Sequence, residues 1–301
     1  MLVGVDIGGT KTHVRVVPDD AAVQDLVVRS DSWIVGMLAS DPGNARRLVG
    51  LLPAEAVAAG SALVVGAHGL DSPAQVTSFN RWLADAFPGA TLGVNDVALL
   101  APAAGLDQAV CVVAGTGSKV VGHRADGSIV EAGGHGFLIG DPGSAPAVAR
   151  DAMRALLEAY DEGAALGGLA EAMLAVHGHH DLPELWIAMF VEDPSAALWG
   201  SLAPAVFAAA EAGDRRALAV VDAHANLLTA DVHRVIRRGA LGDVVVCAGG
   251  VITGQPLLRE ALWRHVDALD LGLTMRTLDV PPVAGAVALA RRLRDGVRSI
   301  A

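Results

Sequence analysis

The sequence is poor in cysteine, in positive charge and in long apolar runs, and each shortage narrows the class of protein. Cys111 and Cys247 are the two cysteines, and each sits inside a strand-like apolar run, so buried reduced thiols in a cytoplasmic protein are the expectation. Lys and Arg number 22 against 33 Asp and Glu, and the net charge of −11 is spread without long runs, which argues against a nucleic acid partner. Charged residues, Gly or Pro interrupt every apolar stretch before the ~20 residues that cross a bilayer, so no membrane partner is expected. Asp6 and the glycines after it fall where the apolar core of a signal peptide would lie, and no secretory leader is expected. The histidines lack the paired spacing of a zinc site, and His177-Gly-His179-His180 reads as a surface loop. What is abundant is Ala, Val, Leu and Gly, the composition of a chain with a large core, and 301 residues favour two domains.

The first fifteen residues read MLVGVDIGGTKTHVR. An apolar run (Leu2, Val3, Val5) stops at Asp6, passes through Gly8-Gly9-Thr10 and resumes as the alternating Thr12, Val14, Val16. This is the pattern of a hairpin rather than of a strand leading into a helix. Paired glycines let main-chain N–H groups approach a phosphate, Thr10 and Lys11 add a hydroxyl and a cation, and Asp6 can hold hydrated magnesium. An ordinary glycine turn explains the loop as well. The pattern then returns: Val110 to Arg124 reads VCVVAGTGSKVVGHR, and Thr10 and Thr116, like Asp20 and Asp126, stand 106 residues apart. The chain therefore reads as a duplicated unit, with two glycine-turned hairpins placed to hold a polyphosphate between two domains.

Elsewhere the pattern predicts a third strand at 25–30, helices at 43–52 and 73–86, and strands at 62–67 and 91–94. Phe79 and Trp82 are available to the core. The last of these strands ends at Asn95-Asp96, before a helix over 97–104. An acidic residue at the C-terminal end of a strand is where α/β proteins place chemistry, although Asp also suits a helix N-cap. The glycine-dense stretch 132–144 lets backbone pass close to a ligand, and Asp141 within it can accept hydrogen bonds from hydroxyls. A helix over 145–160 follows, with a first turn whose free N–H groups suit an anion. Helical stripes continue to Arg238, with Trp186 and Trp199 assigned to the core. A strand at 243–247, the pair Gly249-Gly250, a helix at 256–266, a strand at 273–278 and a helix at 283–293 complete the chain.

DIGGTKT, AGTGS, GGHGFLIGDPGS and CAGGVITG, in this order, resemble the phosphate-1, phosphate-2, sugar-loop and adenosine motifs of the actin-like ATPase and sugar kinase superfamily. Within it they are most similar to the N-acetylglucosamine kinase group, which is related to BadF/BadG-type activator ATPases. The resemblance implies an α/β, actin-like ATPase fold of two ribonuclease H-like domains flanking a nucleotide cleft. The first would span residues 1–97, with a C-terminal helix at 285–301 packing back on it, and the second 98–284. It also implies transfer of the γ-phosphoryl group of ATP to a hydroxyl of N-acetylglucosamine, or of glucosamine; an ATPase that activates a partner and phosphorylates no sugar is the alternative. ATP would lie on Gly8, Gly9, Thr10, Lys11, Gly117, Ser118, Gly249 and Gly250, Mg2+ on Asp6, and the sugar on Asp31, Thr116, Gly134, His135 and Asp141. Asp96 aligns with the general base. Three positions depart from the family pattern: Asp31 stands where Asn is usual, His135 where Trp is usual and Pro142 where Glu is usual. An aspartate at 31 accepts hydrogen bonds and cannot donate, which suits hydroxyls or an ammonium group, and a turn or cap role is its alternative. The activator ATPases hold an iron–sulfur cluster on interface cysteines, a task for which strand-interior cysteines are unsuited. Relatives are often homodimers.

Overall fold

Period-2 alternation builds the first hairpin. In the computed structural model, which describes residues 1–296, Leu2–Ile7 (β1) and Lys11–Val17 (β2) pair antiparallel from Ile7↔Thr12 to Leu2↔Val17. Val14 and Val16 are buried while Lys11 is exposed, and the turn closes where the Gly8 N–H donates to the Lys11 carbonyl at 2.9 Å. Gln24–Arg29 (β3) continues antiparallel on β2. There follow Gly43–Val49 (α1), Ala62–Ala67 (β4), Pro73–Ala86 (α2) and Ala90–Asn95 (β5). The sheet runs β3-β2-β1-β4-β5, with β4 and β5 parallel to β1. β4 reads ALVVGA and is buried throughout, as a strand covered on both faces must be. Ser72 and Gln75 form a reciprocal capping box ahead of Pro73, which explains where α2 starts.

Two expected helices are shorter than their apolar patterns. α1 ends at Val49 rather than 52, because Pro53 disfavours a helical Leu52. After β5, Asp96–Leu99 forms a 3-10 turn and only Leu100–Ala103 (α3) is α-helical. Pro102 explains the change, since it offers no N–H to the carbonyl of Ala98 and its ring crowds that group.

The second half repeats the first. Val110–Ala114 (β6), Ser118–His123 (β7) and Ile129–Gly133 (β8) form an antiparallel meander, and Val244–Ala248 (β9) and Thr274–Thr277 (β10) add parallel strands in the order β10-β9-β6-β7-β8. Order and directions match the first sheet, so the duplication read from loop spacing extends to the fold. Between β8 and β9 lie Ala145–Asp161 (α4), Gly167–His177 (α5), Leu182–Ile187 (α6), Ala196–Ser201 (α7), Ala203–Glu211 (α8) and Arg215–Arg237 (α9). Gly250–Gly254 (α10) and Pro256–Asp267 (α11) precede β10, and Val283–Arg294 (α12) follows it. The residues of the expected final helix at 297–301 lie outside the described residues.

The chain forms two units, Ala109–Thr277 and, around it in sequence, Met1–Gln108 with the chain from Leu278 onward. The expected boundaries were 97/98 and 284/285; the turn at Asp96–Leu99 and α3 pack on α12 and so go with the first unit. In that unit Val3, Val5, Leu63 and Val65 face α1 and α2, while Leu2, Ala62 and Val64 face α12. In the other, α4 and α9 bury their apolar stripes with β6 and β9, and Trp199 joins that core. Trp186 does not. The inward face of α6 carries Leu182 and Leu185, continued by Met189, which turns Trp186 outward and leaves it 36 % exposed. No helix among the described residues is long and apolar enough to cross a membrane.

Candidate active site

In the first unit the expected ligands of metal and phosphate gather at the C-terminal ends of strands. Asp6 is the last polar residue of β1, and the Gly8–Lys11 turn follows it with Gly9, Thr10 and Lys11 exposed. Asp96 stands just beyond β5. Burial pushes the Asp6 carboxyl up to about 6, helped by the charge of Asp96 and opposed by His13 and Lys11. The two carboxylates therefore feel each other. Asp96 does not act as the N-cap: Asn95 holds that position and accepts from the Val97 N–H at 3.2 Å, while Asp96 Oδ1 lies 3.0 Å from the same N–H. Neither Gly8 nor Gly9 has close neighbours that would exclude a Cβ, so their glycines answer to no packing constraint here.

Asp31 lies in an exposed 3-10 turn, Ser30–Ser32. Its carboxylate is gripped by both Nε and Nη2 of Arg29, which holds it below the usual carboxylate range. Asp31, expected to accept from hydroxyls or an ammonium group, therefore already accepts from a guanidinium. Trp33 behind it is buried and donates from Nε1 to Thr12 Oγ1 at 3.0 Å.

In the second unit three expected motifs converge. The Gly115-Thr116-Gly117 turn closes with the Gly115 N–H on the Gly117 carbonyl at 2.9 Å. A Cβ on Gly115 would lie 3.7 Å from the Gly250 main-chain nitrogen, and one on Gly117 would lie 3.1 Å from Asp141 Oδ2. Gly249 has φ of +99°, and a Cβ there would meet the Ala114 carbonyl oxygen at 2.5 Å, so only glycine fits. Asp141 is buried, adopts a left-handed φ of +55°, and accepts from the Gly136 N–H at 3.0 Å. Gly134 and His135 are exposed, and a cavity of about 540 Å³ is lined by His135 and Asp141 together with Arg150, Arg234, Arg238 and the acidic Glu131 and Asp231.

Two expected contributions are taken up elsewhere. The Ser118 hydroxyl is buried and donates to the Pro142 carbonyl at 2.7 Å, so it fastens the 134–144 loop instead of facing a phosphate. The first turn of α4 has no spare donors for an anion: the Ala145 N–H goes to the Gly115 carbonyl, the Ala147 N–H to Ser144 Oγ, and residue 146 is proline. Both cysteines are free and buried, with burial pushing their thiols up to about 12.

With this geometry in place, comparison with known proteins is decisive at the level of family. Residues 3–290 match the BadF/BadG/BcrA/BcrD ATPase family. The chain belongs to that family. Its relatives include an N-acetylmuramic acid/N-acetylglucosamine kinase from Clostridium acetobutylicum, 26 % identical over 306 residues and covering 96 % of this chain and 98 % of the relative. Among solved structures, an N-acetylglucosamine kinase candidate from Porphyromonas gingivalis aligns with a TM-score of 0.68 at 17 % identity, over 99 % of this chain and 100 % of the other. One from Chromobacterium violaceum aligns at 0.62 and 24 % identity, over 95 % and 97 %. These likenesses place the fold as the expected α/β, actin-like one with two ribonuclease H-like sheets. Around the motifs of this BadF/BadG/BcrA/BcrD-family chain stand residues that the sequence reading missed. Arg29 pairs with Asp31, and Arg150, Asp151 and His224 stand behind the 134–144 loop. Arg29 and Asp31 are two residues apart and Arg150 and Asp151 follow the loop closely on α4, whereas His224 lies on α9, far along the chain.

Proposed function

We propose that the protein is an ATP-dependent amino-sugar kinase that transfers the γ-phosphoryl group to a hydroxyl of N-acetylglucosamine. The observation that carries the reading is the meeting of the Gly115–Gly117 turn, Asp141 and Gly249-Gly250 in one unit, because phosphate, sugar and adenosine contacts are needed together. In this reading Gly8, Gly9, Thr10, Lys11 and Gly117 hold phosphates, and Gly249 and Gly250 lie against adenosine. Thr116, Gly134, His135, Asp141 and Asp31 line the sugar site. Asp96 accepts the proton of the attacking hydroxyl. Asp6, half-buried beside a second carboxylate, is the hard oxygen donor that suits hydrated Mg2+, and burial together with the charge of Asp96 raises its proton affinity. Magnesium there would neutralise charge on the transferring phosphoryl group. Asp31, already paired with Arg29, gives no support to selection of a free amine, so the acetamide sugar stands ahead of glucosamine. The iron–sulfur version of a partner-activating ATPase is disfavoured by two thiols buried in strands.

A second acceptor has an observation in its favour. Arg150 and Arg234 are already paired with Asp151 and Asp231, but Arg238 also lines the cavity beside His135, and a guanidinium there suits a carboxylate-bearing sugar such as N-acetylmuramic acid. ADP release with Mg-ATP, measured against N-acetylglucosamine, N-acetylmuramic acid, glucosamine, N-acetylmannosamine, glucose and no sugar, tests the reading. Strong stimulation by an N-acetylated sugar is expected, and Asp96→Asn should reduce it by at least about a hundredfold. Turnover indifferent to sugar, or an Asp96→Asn variant within a few-fold of the parent, would sink it.

A further inference from the structure

The loop from Gly134 to Ser144 is rich in glycine and has little stiffness of its own, yet it must present Asp141 in one place. Three tethers leave the loop. Ser118 Oγ donates to the Pro142 carbonyl, Arg150 Nη1 donates to the Phe137 carbonyl, and the Gly143 N–H donates to His224 Nδ1 at 2.9 Å. The last two share an anchor. Arg150 Nε and Nη2 each donate to an oxygen of Asp151 at 2.9 Å, and His224 Nε2 lies 3.3 Å from Asp151 Oδ2. His224 is 1 % exposed, and because its Nδ1 accepts a hydrogen bond, its proton is on Nε2. That Nε2–H has no well-formed hydrogen bond of its own, although Asp151 Oδ2 lies within ion-pair distance of it.

We propose that Asp151 is a positioning residue that, through Arg150 and His224, fixes the two ends of the sugar loop and thereby the placement of Asp141. One carboxylate on α4 orients a guanidinium toward one end of the loop and an imidazole on α9 toward the other. Removing it frees Arg150 to leave Phe137 and His224 to rotate or change tautomer, so both tethers loosen together. The identity of the ligand rests on the amino-sugar reading; the tether itself does not.

The test uses the full-length protein with two readouts. One is hydrogen exchange of the 134–144 backbone amides in the free protein, and the other is sugar KM against ATP KM in the ADP-release assay. Asp151→Leu and His224→Leu should each speed loop exchange and raise sugar KM by about tenfold, the scale of one buried polar group left without its partner, with ATP KM within about twofold. The double variant should be no worse than Asp151→Leu alone, since the His224 tether is one of the two that Asp151 holds. His224→Gln, whose amide can accept from Gly143 and donate toward Asp151, should recover most of the effect. Should Asp151→Leu fail to fold, His224→Leu and Arg150→Gln make the same comparison. Folded variants with unchanged loop exchange, or single effects that multiply in the double variant, would overturn the proposal. Faster loop exchange in a protein that no sugar stimulates would support the tether and count against the amino-sugar reading alone.

Discussion

Burial and the charge of Asp96 move Asp6 from 3.8 to about 6, so at neutral pH the free protein holds two mutually repelling carboxylates at the ends of β1 and β5. Folding favours the protonated form of Asp6. That contribution is present in full below pH 3.8 and is lost as pH rises through about 6. Asp6→Asn, which mimics the protonated form, should stabilise the free protein at pH 8 by about 2 kcal/mol and by almost nothing near pH 4. Thermal melts at the two pH values check this, and an equal shift at both would remove titration as the cause. The same variant should lose Mg-dependent ATP binding, a trade of stability against function at one side chain. Asp6 and Asp96 were legible from sequence because each follows an apolar strand run directly. The partner of Asp31 was not singled out, since only coordinates show the Arg29 fork closing on it.

At the scale of elements, α12 lies so close to the first sheet that two glycines are required. A Cβ on Gly4 of β1 would sit 2.7 Å from a Val287 side-chain carbon, and one on Gly285 would sit 1.9 Å from the Leu99 carbonyl oxygen. In an exposed helix, glycine to alanine is stabilising by up to about 1 kcal/mol. Here Gly285→Ala should have the opposite sign and destabilise by about 3 kcal/mol, because backbone must move to admit the methyl group. A denaturant melt showing a gain in stability would mean that α12 is not packed as described. α4 teaches a related lesson. Its Ser144 cap and preceding glycine loop read as an anion site, but the Gly115 carbonyl and the Ser144 hydroxyl consume the N–H groups that such a site needs.

For the whole molecule, the unit Ala109–Thr277 is one continuous segment with its own core, whereas the other depends on α12 from the far end of the chain. Expressed alone, residues 109–277 should melt cooperatively by circular dichroism. Residues 1–108 should not, since Leu2, Ala62 and Val64 would lose the helix that covers them. A cooperative melt for 1–108 would show that the sheet does not need α12. The sequence by itself determined the hairpins, their 106-residue repeat, the positions of the later strands and the glycine turns. Strand alternation, turn chemistry and caps are set by neighbours a few residues apart, so a linear pattern suffices to read them. Only the tertiary structure decided that Ser118 fastens Pro142, that Trp186 faces outward, and that Asp151 and His224 stand behind the 134–144 loop. Those outcomes depend on which groups from distant segments come within hydrogen-bond or contact distance once the cores form, and spacing along the chain carries no record of that.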